Sequence, residues 1–241
     1  MYAKSLLTAC AAGAVLTLAG CSSMHNVAPS SQPLEESALA TEAAKVLQRQ
    51  MEHPPQNRIP HALIDDARCV GVFPSFTKVA FVVGGAQGKG IIVCQSPDGE
   101  SWSNASPALY TLTGGSIGFQ AGVQSSSVIL LFLNTEAVQA LTNPTIKFGA
   151  GISVAAGPLG WQADVQGAPA PIISYQVSTS GLFAGVNLGG STLSFDQTST
   201  SDIYDDQPTP NPHTVLFEMD VVPSSVNVYN QAVADFADTS R

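Results

Sequence analysis

Two glycine-rich stretches decide the fold: GVFPSFTKVAFVVGGAQGKG at residues 71–90 and GGSIGFQAG at residues 114–122. Short runs of β-branched and aromatic residues within and around them are typical of strands, at 69–73, 79–83 and 90–95. From residue 117 to 124, apolar residues alternate with glycine or glutamine, which predicts a half-buried strand. Glycine inside strands indicates sharp curvature or close backbone approach. We therefore expect a curved sheet.

The rest of the chain adds further strands and three helices. Strands are predicted at 128–133, 149–156, 160–166, 172–177, 181–188, 191–195 and 215–222, and GGAQGKG at 84–90 is expected to form a tight turn between strands. The apolar residues of 34–52 share one helical face, Asn134 is a good cap for a helix over 135–142, and 225–237 is amphipathic. The prediction is an α+β domain: a curved, mostly antiparallel, half-barrel-like sheet packed by an N-terminal, a short middle and a C-terminal helix.

The N-terminus resembles a bacterial lipoprotein signal. Lys4 precedes a short apolar run that ends in Leu-Ala-Gly-Cys, with Cys21 as the expected site of lipidation. We expect residues 1–20 to be a signal peptide, residues 21–33 a lipidated cysteine with a flexible tether, and residues 34–241 a single domain. Ser22 after the cysteine favours anchoring in the outer membrane, facing either the periplasm or the cell surface.

The charge balance excludes some partners. The chain carries 9 lysines and arginines against 18 acidic residues, a formal net charge of −9. An acidic chain with so few cations is poorly suited to nucleic acid, whose binding requires neutralised phosphates. Broad electrostatic attachment to anionic lipid is disfavoured for the same reason.

Five motifs together resemble the SYLF domain family over residues 59–205: GVFPSFTK (71–78), VVGGAQGKG (82–90), GGSIGFQAG (114–122), SVAAGP (153–158) and GLFAGVNLGG (181–190). The resemblance implies a non-catalytic domain that binds phospholipid; in eukaryotic members the ligands are phosphorylated lipids. The candidate lipid contacts that it implies are Lys78, Lys89, Leu182 and Phe183. Many family members have a basic residue just before GLFAG, whereas this chain has Ser178 and Ser180, which favours acyl-chain over headgroup recognition.

Catalytic and metal chemistry find little support in the sequence. Residues 114–118 fit G-x-S-x-G, but that motif requires a helix after the turn, and a strand is predicted here. The four histidines lack metal-ligand spacing, and no cofactor is implied. Cys69 and Cys94 either form a disulfide or remain separate buried thiols on neighbouring strands.

Two functions therefore stand. The first is a membrane-anchored lipoprotein whose SYLF-like domain binds phospholipid. The second is an envelope lipoprotein that binds a protein partner, or is a surface antigen, without lipid recognition by the domain.

Overall fold

The computed structural model describes residues 32–96, 101–157, 170–177, 183–204 and 211–238. In chain order the helices are α1 (Gln32–Glu52), α2 (His61–Asp65), α3 (Thr135–Leu141), α4 (Gln197–Ile203), α5 (Pro212–Phe217) and α6 (Asn227–Asp238). The strands are β1 (Cys69–Cys94), β2 (Ala108–Phe132), β3 (Thr145–Lys147), β4 (Val154–Ala156), β5 (Ile172–Val177), β6 (Phe183–Gly185) and β7 (Thr192–Phe195). The predicted class, an α+β fold with a curled half-barrel sheet, is confirmed.

Two long antiparallel strands build the sheet. β1 and β2 pair along almost their whole length, from Cys69 opposite Phe132 to Ile92 opposite Ala108. The register shifts twice, after Phe73 and after Ala80. Such irregularities bend a two-stranded ribbon and increase its twist.

The bend folds the ribbon back on itself. A Cβ atom added at Gly90 would lie 2.3 Å from the Phe73 ring, and one at Gly88 would lie 2.7 Å from the Ser75 carbonyl oxygen. A Cβ atom added at Gly71 would lie 3.0 Å from the Ile92 side chain. The first and second halves of β1 therefore pack face to face. Glycine is required at position 90 because the Phe73 ring fills the space of a side chain, and at position 88 because the backbone of Ser75 does.

The shorter strands extend each half of the ribbon separately. β7 pairs with β2 at 110–113 and β3 pairs with β7, whereas β5 pairs with β2 at 127–132 and carries the short strands β4 and β6. In the run 128–133, predicted to be covered on both faces, residues 128–132 are fully buried and Leu133 is partly buried. α1 and α6 pack against each other and α1 against β1, which closes the core.

Several predicted elements differ from the structure. Residues 84–90 form no turn; they continue β1, because β2 supplies a hydrogen-bonding partner throughout. Residues 215–222 are not a strand: Asn211 accepts a hydrogen bond from the Thr214 amide and Pro212 occupies the first helical turn, which starts α5 instead.

Other boundaries also differ. The strand expected at 149–156 shrinks to β4, because Gly149 adopts a positive φ of 85° and turns the chain. In the described part of the run 181–188, which was expected to be one strand, β6 is the part that forms strand. The strand expected at 160–166 lies outside the described residues. α2 and α4 were not predicted. The middle helix begins as predicted, with the Asn134 side chain accepting from the Ala137 amide.

Candidate functional site

A two-stranded segment in the middle of the β1–β2 pair stands apart from the rest of the sheet. We call it the central ribbon, residues 77–86 paired with residues 114–125. β7 pairs with β2 only before this segment and β5 only after it. Within the described residues, no third strand pairs with the central ribbon.

The central ribbon is nearly free of charge. Its two strands contain Lys78 and no aspartate or glutamate, in a chain whose net charge is −9. Val79 lies directly opposite Val123, and the two side chains are 53% and 73% exposed. The strand pairing continues beyond them through Val83 and Ile117, so the neighbouring apolar residues belong to the same segment. Exposed apolar side chains that lie side by side, as Val79 and Val123 do, mark an interaction site more often than an isolated surface residue does.

Lys78 lies on the opposite face of the ribbon from Val79, because side chains alternate along a strand. Its Nζ atom is 5.9 Å from the centroid of the Phe76 ring, which is within cation–π range. Among the described residues, no carboxylate forms a salt bridge with Lys78. Its ammonium group is therefore available to an anionic group of a ligand.

Lys89 has a different environment, although it lies in the same strand. Its Nζ atom is 3.6 Å from Asp196 Oδ2 and donates a hydrogen bond of 3.2 Å to Ser199 Oγ. Asp196 also caps α4 by accepting from the Ser199 amide. The family resemblance proposed Lys78 and Lys89 together as lipid contacts, but α4 engages Lys89 and leaves Lys78 free of such partners.

The other two candidate lipid contacts are described only in part. Phe183 begins β6, where its backbone pairs with Val177 of β5. Val177 in turn pairs with Ser127 of β2, two residues after the central ribbon ends. Phe183 thus lies at the end of the sheet from which the central ribbon extends. Leu182 and the predicted lipidation site Cys21 lie outside the described residues.

The two cysteines Cys69 and Cys94 are joined by a disulfide. They are the first and last residues of β1, so the bond ties together the two halves of the folded ribbon.

Catalytic chemistry has no geometric basis at the residues considered for it. Residues 114–118, the G-x-S-x-G match, lie inside β2, whereas a nucleophile elbow needs a strand, a sharp turn and a helix. Within the described ranges, no three histidine, cysteine or acidic side chains are grouped closely enough to hold a metal ion. Among the helices of those ranges, none has the length and apolar character to cross a bilayer.

Sequence reasoning missed a second polar site beside Lys89. It consists of Glu36 on α1 with Asp196, Ser199 and Asp202 around α4. Asp196 before α4 carries a local capping pattern that could have indicated this helix. Nothing local marks Glu36, which resembles any other acidic residue in the first turns of a helix.

Comparisons with known proteins agree on one family. A family model described as "Ysc84: Las17-binding protein actin regulator" matches residues 113–235. An SH3 domain-containing protein of Schizosaccharomyces pombe is 33% identical over 177 residues, covering 70% of this chain and 40% of the relative. SH3 domain-containing YSC84-like protein 1 of Homo sapiens is 33% identical over 178 residues, covering 70% and 49% respectively.

Protein YSC84 of Saccharomyces cerevisiae is 32% identical over 138 residues, which covers 55% of this chain and 29% of the yeast protein. The chain thus spans about half the length, or less, of the curated relatives that it matches.

Proposed function

The chain belongs to the Ysc84 family, the family of SYLF domains, and from this premise we propose that it is a membrane-anchored, non-catalytic lipoprotein whose domain binds phospholipid through the central ribbon. One observation carries the proposal: a two-stranded segment without carboxylates extends from an acidic protein and exposes Val79 and Val123. Lys78 is its single charged residue. A lipid layer that the ribbon enters edge-on suits this combination, because the valines on one face meet acyl chains while Lys78 on the other face meets phosphate groups.

The apolar contribution to binding is the larger one. Full burial of a valine side chain stabilises by about 1.5–3 kcal/mol, whereas one lysine near an anionic surface contributes about 1 kcal/mol. The net charge of −9 opposes approach to anionic lipid. Binding is therefore expected to depend weakly on salt and on the fraction of anionic lipid.

The N-terminus supplies the second part of the proposal. Lipidation at Cys21, after removal of residues 1–20, anchors the chain in the outer membrane, and residues 21–33 act as the tether to the domain. A tether of this length reaches roughly 40 Å when extended. The tether keeps the central ribbon close to the membrane and so raises its effective concentration there. A modest intrinsic affinity of the ribbon for lipid is therefore sufficient.

The test is co-sedimentation of the fragment 22–241 with liposomes. This fragment lacks the acyl anchor and retains every residue that the structure describes. Liposomes of phosphatidylcholine alone, and of phosphatidylcholine with phosphatidylglycerol, are compared at low and moderate salt. The expected result is binding to both compositions with little effect of salt.

A protein partner is the second candidate, because the family model is described as Las17-binding and the relatives as SH3 domain-containing. The same experiment separates the two candidates. A fragment that binds no liposome of either composition would overturn lipid binding by the domain and favour an envelope protein partner.

A further inference from the structure

A cleft of about 340 Å³ lies between α1 and the sheet, where it is lined by both halves of β1 and by the start of β2. Its walls include the apolar side chains of Ala38, Leu39, Pro74 and Leu109. Three glutamates of α1, Glu35, Glu36 and Glu42, also line it, together with Ser75 and Lys89 of β1. The cleft is thus apolar along its walls and acidic along one helix.

Glu36 is the unusual member of this lining. It is only 3% exposed, and its Oε2 atom has no hydrogen-bond partner within the described part of the chain. The Oδ2 atom of Asp202 is also buried and has no hydrogen-bond partner within the described part of the chain. Burial raises the pKa of Glu36, and the neighbouring Asp202 adds to this, against the opposing effects of Ser199 and Lys89. A buried carboxylate oxygen without a donor is destabilising, so such groups normally have a partner.

Lys89 does not supply that partner. Its ammonium group donates to Ser199 and lies beside Asp196, and the Oε2 atom of Glu36 still lacks a donor. Lys45 is committed to Glu42 at 2.7 Å on the exposed rim. The site therefore has more acidic groups than cations, and a cationic donor from outside would complete it.

The chemistry of the cleft favours an organic cation over a metal ion. Metal sites need several converging ligands, and no group of three suitable side chains occurs among the described residues. The four apolar side chains of the walls suit an alkyl stem, as lysine and arginine stems pack along apolar surfaces while their charged ends reach polar groups. A charged donor also forms stronger hydrogen bonds with carboxylates than a neutral one does.

We infer that this cleft binds an alkylammonium or alkylguanidinium group, whose charged end pairs with Glu36 beside Asp202 and whose stem contacts Leu39 and Leu109. The group belongs either to a free amine or to a lysine or arginine side chain of a protein. This site is separate from the central ribbon, and its existence does not depend on lipid binding.

The test is calorimetric titration of the full chain in neutral detergent. The probes are n-butylguanidinium and n-butylammonium chloride, with n-butanol as the uncharged control and CaCl₂ as the metal control. Two short peptides are titrated in parallel: Gly-Ser-Arg-Ser-Gly and the same peptide with citrulline in place of arginine. Saturable binding of either cation, absent for butanol, is expected; tighter binding of the arginine peptide identifies a protein side chain as the source.

Matched variants test the site itself. Glu36→Gln is expected to weaken cation binding about tenfold, as loss of a charge-assisted hydrogen bond implies. Asp202→Asn is expected to weaken it less, because Asp202 adds negative charge beside Glu36 but does not line the cleft. Glu136→Gln, an exposed change on α3 outside the cleft lining, is expected to leave the affinity unchanged. Circular dichroism and thermal unfolding establish that each variant is folded, and if one is not, the other variant carries the test.

Three outcomes would overturn the inference: equal binding of butanol and the cations, saturation by CaCl₂ alone, or unchanged affinity in both folded variants. Absence of any binding would overturn it as well.

Discussion

Cys69 and Cys94, the two terminal residues of one continuous strand, are joined by a disulfide, and their Cα atoms lie 3.9 Å apart. A strand of 26 residues would be far longer than this distance if it were straight. The bond therefore shows that β1 folds back on itself, and β2 follows the same bend because it pairs with β1 along almost its whole length. The central ribbon is the bend of this folded pair, which is why it extends from the rest of the sheet.

Replacing both cysteines by serine is expected to lower the free energy of unfolding by about 3 kcal/mol, since the bond closes a loop of 25 residues. Urea unfolding of the oxidised protein, of the reduced protein and of the double variant measures the effect. The reduced protein serves as the control, because it should match the variant. Equal stability of all three forms would show that packing alone holds the two halves together.

Gly90→Ala is expected to destabilise the fold by about 1–3 kcal/mol, because the new methyl group would overlap the Phe73 ring. Gly85→Ala is the matched control in the same strand, since nothing lies within 4 Å of a Cβ atom there. Chemical unfolding of both variants measures the difference. A Gly90 variant as stable as the Gly85 variant would contradict the close approach of the two halves of β1.

Lys78→Ala and Lys89→Ala provide a matched pair for lipid binding. Loss of Lys78 is expected to weaken binding to anionic liposomes about fivefold, as removal of one basic group near the surface implies. Loss of Lys89 should have no effect, because Asp196 and Ser199 already engage it. Co-sedimentation of the two variants of fragment 22–241 with anionic liposomes measures the effect. Weaker binding of the Lys89 variant than of the Lys78 variant would indicate that Lys89 contacts the headgroup instead.

Replacing Val79 and Val123 together by serine is expected to weaken binding to all liposomes about tenfold or more, because both compositions lose the same apolar contact. Val221→Ser is the control, since Val221 is 52% exposed and lies outside the central ribbon. If the control weakened binding as much as the double variant, the effect would be a general loss of surface hydrophobicity. The membrane contact would then not be the ribbon.

The pKa of Glu36 predicts a pH dependence of stability. Burial raises this pKa above its usual value of 4.5, so the folded state holds the proton more tightly than the unfolded state does. The contribution of Glu36 is therefore fully present below about pH 4.5 and is lost as the pH rises through the raised value. Glu36→Gln should remove this loss, so the stability of the variant relative to the original chain should increase from pH 4 to pH 7. Parallel urea titrations measure it, and a constant difference would contradict the raised pKa.

Local sequence patterns were sufficient for much of the fold. The alternation at 117–124 predicted strand, the apolar run at 128–133 predicted a strand covered on both faces, and Asn134 predicted the start of α3. These features depend on residues close together in the chain, through side-chain periodicity and capping. The motifs also sufficed to identify the family, because their order and spacing are properties of the chain alone.

The sites required the tertiary structure. Lys78 and Lys89 have similar settings in the sequence, each within a glycine-containing strand motif, yet only Lys89 meets Asp196 and Ser199 of α4. Glu36 becomes a buried, unpartnered carboxyl group only because α1 packs beside α4 and β1. Such contacts join residues far apart in the chain, and they depend on where the long β1–β2 pair bends. Because no local pattern specifies that bend, the sequence predicted the strands and helices, while the folded ribbon determined which lysine is free and which carboxylate is buried.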